Sequence, residues 1–332
     1  MKRKITLFSL ISLLILGSLL AGCSSSSNDM EKVRLAEVTH SIFYAPLYIA
    51  IGEGFFEEEG IEIDLTTTWG GDQTMVTLLS GGADIALVGA ETSIYVYAQE
   101  PNDPAINFAQ LTQTDGTFLV AREQVNNFEW DDLNGSTFLG QRKGGMPQMV
   151  GEHVLRQKGI NPQTDLNLIQ NIDFGNIPSA FASGTGEYVQ LFEPQATMFE
   201  NEGIGHVIAS LGEESGEVPY TVFMSKQSYI EENEDVIERF TKALYRAQQW
   251  VEASSIEEIA KAVQPFFDDT SIEVVEQVVE RYKSQGSYAT SPLLKESAWY
   301  NLQDIMESSG ELPKRIDYLD LVNTDIANRV AQ

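Results

Sequence analysis

Two kinds of side chain that could bind a small solute recur at the predicted strand ends of this 332-residue sequence. The aromatic candidates are Tyr44, Trp69, Tyr188 and Phe192. The polar candidates are His40, Glu91, Asp115 and Glu193. Aromatic walls and carboxylates suit a planar heterocycle, because its ring stacks on the walls while a carboxylate accepts hydrogen bonds from its N–H groups. Each aromatic residue could instead pack in the core, and for Trp69 both roles stay open.

A glycine-containing loop at residues 140–147 offers a different chemistry. Gly144 and Gly145 precede a predicted helix, whose N-terminal N–H groups and dipole favour an anionic ligand. Arg142 and Lys143 add positive charge beside them. The loop could equally be a plain strand-to-helix turn, and it lacks the Gly-Lys-Ser/Thr order of a nucleotide-binding loop. A sulfonate, taurine or nitrate ligand is therefore the alternative to a heterocycle.

Motifs of enzymes and metal proteins are absent from the sequence. His40, His153 and His206 do not have the spacing of a metal site, and no Gly-x-Ser-x-Gly motif occurs. The single cysteine, Cys23, lies near the N-terminus. We therefore expect no catalytic residue, no metal, no cofactor and no enzymatic activity.

The candidate residues follow strands of a predicted βαβ unit. Residues 33–38 form a short apolar strand, Pro46 fits the first turn of a helix that ends near Gly60, and residues 61–65 alternate apolar and polar side chains. Residues 85–88 predict a third, fully apolar strand. The strand-to-helix loops at 39–44, 68–72 and 89–93 should therefore line one edge of a parallel sheet, where ligands bind.

A second set of strands and helices predicts a second lobe. Strands are indicated at residues 137–139, 166–169 and 188–192, and a strand at 219–224 returns to the first lobe. Glu193 directly follows the strand at 188–192 and begins the next helix, so it could cap that helix or bind a ligand. The predicted fold is α/β with two lobes, each a mainly parallel sheet flanked by helices, and a ligand cleft between them. Lobe one comprises residues 31–120 plus 222–332, and lobe two comprises 121–221.

Several of these stretches resemble the solute-binding proteins of ABC importers in the SsuA/ThiY class, which serve sulfonates, taurine, nitrate and thiamine-related pyrimidines. The likeness is carried by residues 40–65, the Leu-Leu-Ser-Gly-Gly-Ala-Asp-Ile run at 78–85, Asp-Leu-Asn-Gly at 132–135 and Phe-Glu-Pro at 192–194. It implies a periplasmic-binding-protein-like fold that closes on its ligand, and an ABC permease with its ATPase as partners. It also implies a hydrogen bond between the ligand and Glu193.

The N-terminus predicts export. Lys2, Arg3 and Lys4 precede an apolar run at residues 5–20, the layout of a signal peptide. A membrane-spanning helix is the alternative, but 16 residues are short for one. The Leu-Ala-Gly-Cys sequence at 20–23 resembles a bacterial lipobox, which implies lipidation of Cys23. We therefore expect a signal peptide at 1–22, a lipidated tether at 23–30 and attachment to the extracytoplasmic face of the cell membrane.

Charge limits the partners. The sequence has 21 basic and 49 acidic residues, for a net charge of −28. Removal of the three N-terminal basic residues leaves 18 and 49, or −31. Such acidity argues against nucleic acid and against electrostatic binding to anionic lipid. We predict a monomeric solute-binding lipoprotein of an ABC importer. The alternatives are a ligand sensor and a membrane-tethered enzyme, although the cysteine-rich motif of related fungal pyrimidine-making enzymes is missing.

Overall fold

The computed structural model describes residues 30–331. The predicted signal peptide, Cys23 and all of the tether except Met30 lie outside the described residues. Within the described part of the chain, no helix has both the length and the apolar composition needed to cross a membrane.

The strands and helices alternate through most of the chain, as the sequence predicts. The strands are β1 Glu31–Glu37, β2 Ile61–Thr67, β3 Ile85–Gly89, β4 Ala105–Thr112, β5 Thr117–Ala121, β6 Thr137–Leu139, β7 Asn167–Ile169, β8 Tyr188–Phe192, β9 His206–Ser210 and β10 Thr221–Lys226. The helices are α1 Ala45–Gly52, α2 Phe55–Glu58, α3 Gly71–Leu79, α4 Glu91–Tyr97, α5 Met146–Gln157, α6 Ile177–Ala182, α7 Gln195–Glu202, α8 Leu211–Ser215, α9 Gln227–Glu232, α10 Glu234–Ala253, α11 Ile256–Val263, α12 Ile272–Ser284, α13 Glu296–Ser308, α14 Tyr318–Leu321 and α15 Asp325–Val330. Short 3₁₀ helices occur at Ile42–Tyr44, Trp130–Leu133, Phe174–Asn176 and Gln264–Phe266.

The two lobes have sheets of the same design. The first sheet has the strand order β2-β1-β3-β10-β4, and the second has the order β7-β6-β8-β5-β9. In the first sheet β10 runs antiparallel to both of its neighbours, and in the second sheet β5 does the same. The other strands of each sheet share one direction. The predicted fold class, two mainly parallel sheets flanked by helices, is confirmed.

Two crossover segments, residues 113–116 and 216–220, connect the sheets. They contact each other, because the Val218 N–H donates a hydrogen bond to the Gln113 carbonyl at 3.0 Å. The strand that follows each crossover, β5 after the first and β10 after the second, is the antiparallel strand of the sheet that it joins. This topology corrects the predicted lobe boundary, since β5 begins at Thr117 and belongs to lobe two rather than to lobe one. β5 belongs to lobe two because it pairs with β8 and β9, which lie far along the chain, and the local sequence gives no signal of that pairing.

The longest C-terminal helix, α10, packs on lobe one through an amphipathic face. In α10, Val236, Phe240, Leu244 and Ala247 recur at helical spacing and are all buried. Phe240 packs edge-on against Phe223 of β10 with the ring centroids 5.0 Å apart. The sequence predicted this buried face of α10.

Candidate functional site

A cavity of about 690 Å³ lies between the lobes at the carboxyl ends of β1, β2, β3, β6, β7 and β8. All three loops predicted to line this edge of lobe one contribute to it. Its lining comprises Val38, Thr39, His40, Ser41, Phe43, Tyr44, Trp69, Gly70, Gly71, Asp72, Met75, Val88, Gly89, Glu91, Thr92, Tyr95, Val96, Gln141, Arg142, Lys143, Gly144, Gly145, Met146, Pro147, Phe174, Gly175, Ile177, Pro178, Leu191, Phe192, Glu193, Pro194, Gln195, Tyr220 and Thr221. The volume is within the range of small-molecule sites.

Aromatic rings form much of the wall of this cleft. Phe43 packs against Tyr44, Phe192 and Tyr220, with ring centroids 5.8, 6.2 and 5.7 Å away. Phe192 belongs to lobe two and Tyr220 to a crossover segment, so Phe43 joins surfaces from three parts of the chain. Trp69 lies at the rim, is 66% exposed and has a positive φ of 58°. Its ring is therefore available to a ligand rather than buried in the core.

Glu91 is a buried carboxyl in the lobe-one wall. It begins α4, directly after β3, and is 5% exposed. Its Oε2 atom has no hydrogen-bond partner among the described residues. A Cβ atom at Gly89 would stand 2.1 Å from Oε2, so the carboxyl occupies space that exists only because residue 89 is glycine. Burial raises the pKa of Glu91 to about 8, against weaker opposing effects from the backbone N–H groups of Glu91 and Met146.

Glu193 directly follows β8 in the lobe-two wall, but both oxygens of its carboxyl are bound by protein groups. One oxygen accepts a hydrogen bond from the Thr197 N–H at 2.8 Å, and the other accepts from the Thr197 hydroxyl at 2.9 Å and from Arg281 at 2.7 Å. Burial raises the pKa of Glu193, and the adjacent Arg281 guanidinium opposes that shift. The side chain therefore caps α7 and joins it to α12, which is the capping role that the sequence left open.

His40 reaches the cleft with both ring nitrogens occupied. Nδ1 lies 3.1 Å from a Glu37 carboxyl oxygen and 3.0 Å from the Tyr48 hydroxyl, and Nε2 lies 2.8 Å from the Phe266 carbonyl. The hydrogen bond with Glu37 raises the pKa of His40. The ring also stacks on Phe267 at 4.6 Å. His40 thus lines the cleft as part of a structural network.

The glycine loop lies at the mouth of the cleft. The Gly144 N–H donates to the Gln148 side chain at 3.0 Å, so this amide is already used. Gly145 is the N-cap residue of α5. Arg142 and Lys143 are exposed at the rim, where Arg142 reaches Asp72 of lobe one at 3.6 Å. The positive charges therefore lie at the entrance and not among the buried aromatic rings.

Two predicted ligand residues, Asp115 and Tyr188, are not among the cleft residues. Asp115 is fully buried in a crossover, where it accepts hydrogen bonds from the Thr117 N–H at 2.7 Å and from the Thr117 hydroxyl. Burial raises the pKa of Asp115 to about 6. Tyr188 begins β8, whereas the cleft lies at the other end of that strand. A strand rises about 3.3 Å per residue, so four residues separate Tyr188 from the site by roughly 13 Å.

Several cleft residues escaped the sequence analysis. Tyr95 follows Glu91 by one helical turn, a spacing that places both on one face of α4. Tyr220 directly precedes the returning strand β10, and its buried hydroxyl lies beside the Asp115 carboxyl. Gln141 follows β6 and has an unpartnered buried carbonyl oxygen. The strand-end rule that identified Glu91 could have found Gln141 as well.

Comparisons with known proteins place the chain in a family. Residues 29–264 match the NMT1-like family. A Bacillus subtilis (strain 168) protein named "Putative binding protein YtlA" is 63% identical over 97% of this chain and 96% of its own length. The nitrate/nitrite binding protein NrtA of Nostoc sp. is 24% identical over 84% of this chain and 71% of its own. A formylaminopyrimidine-binding protein of Halalkalibacterium halodurans is 22% identical over 82% of this chain and 83% of its own.

Solved structures share the fold. The alkanesulfonate-binding protein SsuA from Xanthomonas axonopodis pv. citri superposes with a TM-score of 0.72. The match covers 88% of this chain and 98% of that chain at 17% sequence identity. At this identity the likeness concerns the two-lobed fold, and the predicted resemblance to this class of solute-binding proteins is confirmed.

Proposed function

The chain belongs to the NMT1-like family, and on that premise we propose that it captures a planar nitrogen heterocycle of the aminopyrimidine kind and delivers it to an ABC importer. Its relatives are binding proteins, and the chain is a substrate-binding protein of the ABC-importer type. The partners are an ABC permease and its ATPase. Ligand binding links two lobes that otherwise move apart.

The cleft's lining is the observation that carries the choice of ligand. Aromatic rings of Phe43, Tyr44 and Phe192 line the same cleft as the buried carboxyl of Glu91, and the cations lie at the rim. A planar ring gains from contact with such walls, while its polar edge satisfies the carboxyl. A small anion such as nitrate would leave most of the apolar wall uncovered.

Sulfonate, taurine or nitrate is the second candidate class. The rim cations Arg142 and Lys143 favour it, and so do the names of two relatives in this fold. Against it, Arg142 lies near Asp72, and the Gly144 amide is occupied by Gln148. The cleft also contains the Glu91 carboxyl, which offers an anion at most one hydrogen bond donor.

We further propose that the protein releases its ligand unchanged. Two cleft groups that could act as an acid or base, His40 and Glu193, are held by protein partners, and we propose that the third, Glu91, only forms hydrogen bonds with the ligand. A membrane-tethered enzyme on this fold is the competing class. Incubation with the ligand, followed by recovery of only the intact compound, supports capture, and formation of a product contradicts it.

The anchor remains a proposal from sequence. We propose that residues 1–22 are removed and that lipid on Cys23 holds a monomeric protein at the extracytoplasmic face of the membrane. A Cys23→Ser variant should appear in the medium or stay unprocessed. Full membrane retention of a correctly cleaved variant would contradict lipid anchoring.

A calorimetric screen tests the ligand class. Aminopyrimidines, flavins, alkanesulfonates, taurine and nitrate should each be titrated into ligand-free protein, with melting temperature as a second readout. Binding of an aminopyrimidine with no response to the anions supports the proposal. Micromolar binding of a sulfonate without any heterocycle would overturn it and would turn attention to Gly144 and Gly145.

A further inference from the structure

Among the carboxyls that line the cleft, Glu91 is unusual because one of its buried oxygens has no hydrogen-bond partner among residues 30–331. Oε2 is buried and has no partner within residues 30–331. A buried polar atom without a partner costs free energy, and such an atom calls for a functional explanation. Glu193 at the matching strand end of lobe two has three donors instead. Both residues are glutamates, but only the carboxyl of Glu91 has an oxygen that can still accept a hydrogen bond.

The backbone keeps the Glu91 carboxyl in its place. Gly89 ends β3 with an ordinary backbone conformation, yet its missing side chain provides the space that the carboxyl occupies. Alanine would fit the backbone at residue 89 but would push the carboxyl away. Gly89 and Glu91 therefore act as one unit that holds the carboxyl against the cleft wall.

We propose, resting on the function proposed above, that Glu91 determines the specificity of the cleft by pairing its carboxyl with an amidine-type edge, a ring nitrogen beside an exocyclic amino group. A protonated carboxyl has a donor and an acceptor side by side in one plane. The amidine edge presents an acceptor and a donor in the same arrangement. Two parallel hydrogen bonds form, and the buried oxygen gains its partner.

The surroundings keep Glu91 protonated. Burial raises its pKa to about 8, and the titratable groups facing it are the phenols of Tyr44, Tyr95 and Tyr220, whose pKa values are also raised by burial. The Met146 N–H approaches from lobe two and slightly opposes the shift. The rim cations Arg142 and Lys143 do not contribute to it. The carboxyl is thus an uncharged donor and acceptor at neutral pH.

Selection against anions follows from the same chemistry. Sulfonate and nitrate offer only acceptors, so each could accept a hydrogen bond from the carboxyl O–H but would leave the carboxyl C=O oxygen without a donor. A site built for paired hydrogen bonds strongly rejects analogues that lack one of them. The same argument applies to a pyrimidine whose amino group is replaced by methyl.

Two probes of equal shape measure this pairing. We would titrate 4-amino-2-methylpyrimidine and 2,4-dimethylpyrimidine into the wild-type protein at pH 7. The amino compound should bind at least about tenfold more tightly, because the methyl compound leaves one buried carboxyl group without its hydrogen bond. Equal affinities for the two probes would overturn the inference.

Variants at two positions separate removal of the carboxyl from its displacement. Glu91→Gln should keep the amino preference, because an amide has the same donor and acceptor in one plane, whereas Glu91→Ala should abolish it. Gly89→Ala should weaken binding by moving the carboxyl, and it should have no further effect in the Glu91→Ala background. Melting temperatures of the ligand-free variants show that each one is folded.

The outcomes distinguish failure of this inference from failure of the proposed function. An amino preference that survives Glu91→Ala would overturn the role of Glu91 while leaving heterocycle binding intact. Equal loss in Glu91→Gln and Glu91→Ala would show that an ionised carboxylate is required and would also overturn it. Sulfonate binding by a protein that binds neither pyrimidine would overturn the proposed function itself.

Discussion

The two lobes place a glutamate at the same point of their sheets and use it differently. Glu91 follows β3 and Glu193 follows β8, and both are buried at the carboxyl end of a strand beside the cleft. Glu193 pairs with Arg281 and accepts a hydrogen bond from the Thr197 N–H, whereas one oxygen of Glu91 has no partner among residues 30–331. Strand-end position thus brings a carboxyl to the cleft, but its other partners decide whether a ligand can use it.

The largest expected effect concerns the Glu193 pair. Glu193→Gln removes the buried charge that pairs with Arg281, and loss of a hydrogen bond between charged groups costs about 1.5–3 kcal/mol, although Arg281 keeps its contact with Glu200. Urea unfolding should show this as a lower midpoint at neutral pH. Glu200→Gln is the matched control, because Glu200 contacts the same arginine from a more exposed position and should cost about 0.5 kcal/mol or less.

The contrast between a structural Glu193 and a ligand-binding Glu91 would be contradicted if Glu193→Gln left the unfolding midpoint unchanged and abolished ligand binding. That result would show that the carboxyl of Glu193 binds the ligand and does not stabilise the contact between α7 and α12. Reduced stability with ligand affinity near the wild-type value would support the structural role.

The second effect is a pH dependence of stability that comes from Glu91. Its pKa is raised from the ordinary value of 4.5 to about 8 in the folded protein, so the folded state retains a proton that the unfolded state releases. Stability should therefore fall as the pH rises from about 4.5 to about 8 and should not change further above that range through this group.

Glu91→Gln removes this contribution, so the melting temperature of the variant should exceed that of the wild type increasingly as the pH rises through that interval. Asp115 has a raised pKa too and contributes in the same direction in both proteins. The difference between the two melting curves isolates Glu91. A constant difference from pH 5 to pH 8 would show that the carboxyl ionises normally in the fold.

Local sequence patterns predicted the fold well because its units are local. The strand, loop and helix order around residues 33–65 follows from apolar spacing and from Pro46 and Gly60, and β1, α1, α2 and β2 lie there. The two lobes and the shared sheet edge followed from that pattern. The strand β5 was assigned to the other lobe because its partners, β8 and β9, lie far along the chain.

The site was predictable only as far as strand ends could define it. Trp69 and Glu91 reach the cleft as predicted, since both follow strands of one parallel sheet. Arg281 is 88 residues from Glu193, and no local signal pairs them. Tyr188 was misplaced because it begins its strand, while the carboxyl end of the strand faces the cleft. The strand that contains Tyr188 was predicted correctly, but the direction of the strand places Tyr188 at the end away from the cleft.

A third effect tests the rim aromatics, one on each lobe. Trp69 and Phe174 are both exposed at the cleft, at 66% and 39%. Trp69→Ala should leave stability within about 0.5 kcal/mol, because a mostly exposed side chain contributes little. Stacking on a bound heterocycle should make the same change lower its affinity by about 1 kcal/mol.

Phe174→Ala is the lobe-two counterpart of Trp69→Ala, and the two variants should be titrated with the same pyrimidine. Phe174 also packs edge-on against Phe192 at 5.8 Å, so its loss should affect stability more than that of Trp69. Unchanged affinity in both variants would place the ligand deeper in the cleft, beside Tyr44 and Tyr220. Lost affinity in only one would identify the lobe that holds the ring.

The smallest effect is expected from the ion pair that spans the mouth of the cleft. Arg142 and Asp72 belong to different lobes and lie 3.6 Å apart, but both side chains are more than half exposed. An exposed pair of this kind is worth less than about 0.5 kcal/mol and is screened by salt. Arg142→Gln should therefore leave the melting temperature nearly unchanged, and heterocycle affinity should be independent of ionic strength between 50 and 500 mM, roughly spanning the range over which surface pairs are screened. Lys143→Gln is the matched control, because it removes an equal charge from the same loop.

If either change lowers ligand affinity tenfold, or if affinity falls steeply with salt, the rim cations bind an anionic group. The comparison between a free Glu91 and a paired Glu193 would then describe the wall of the cleft and not the selection of its ligand.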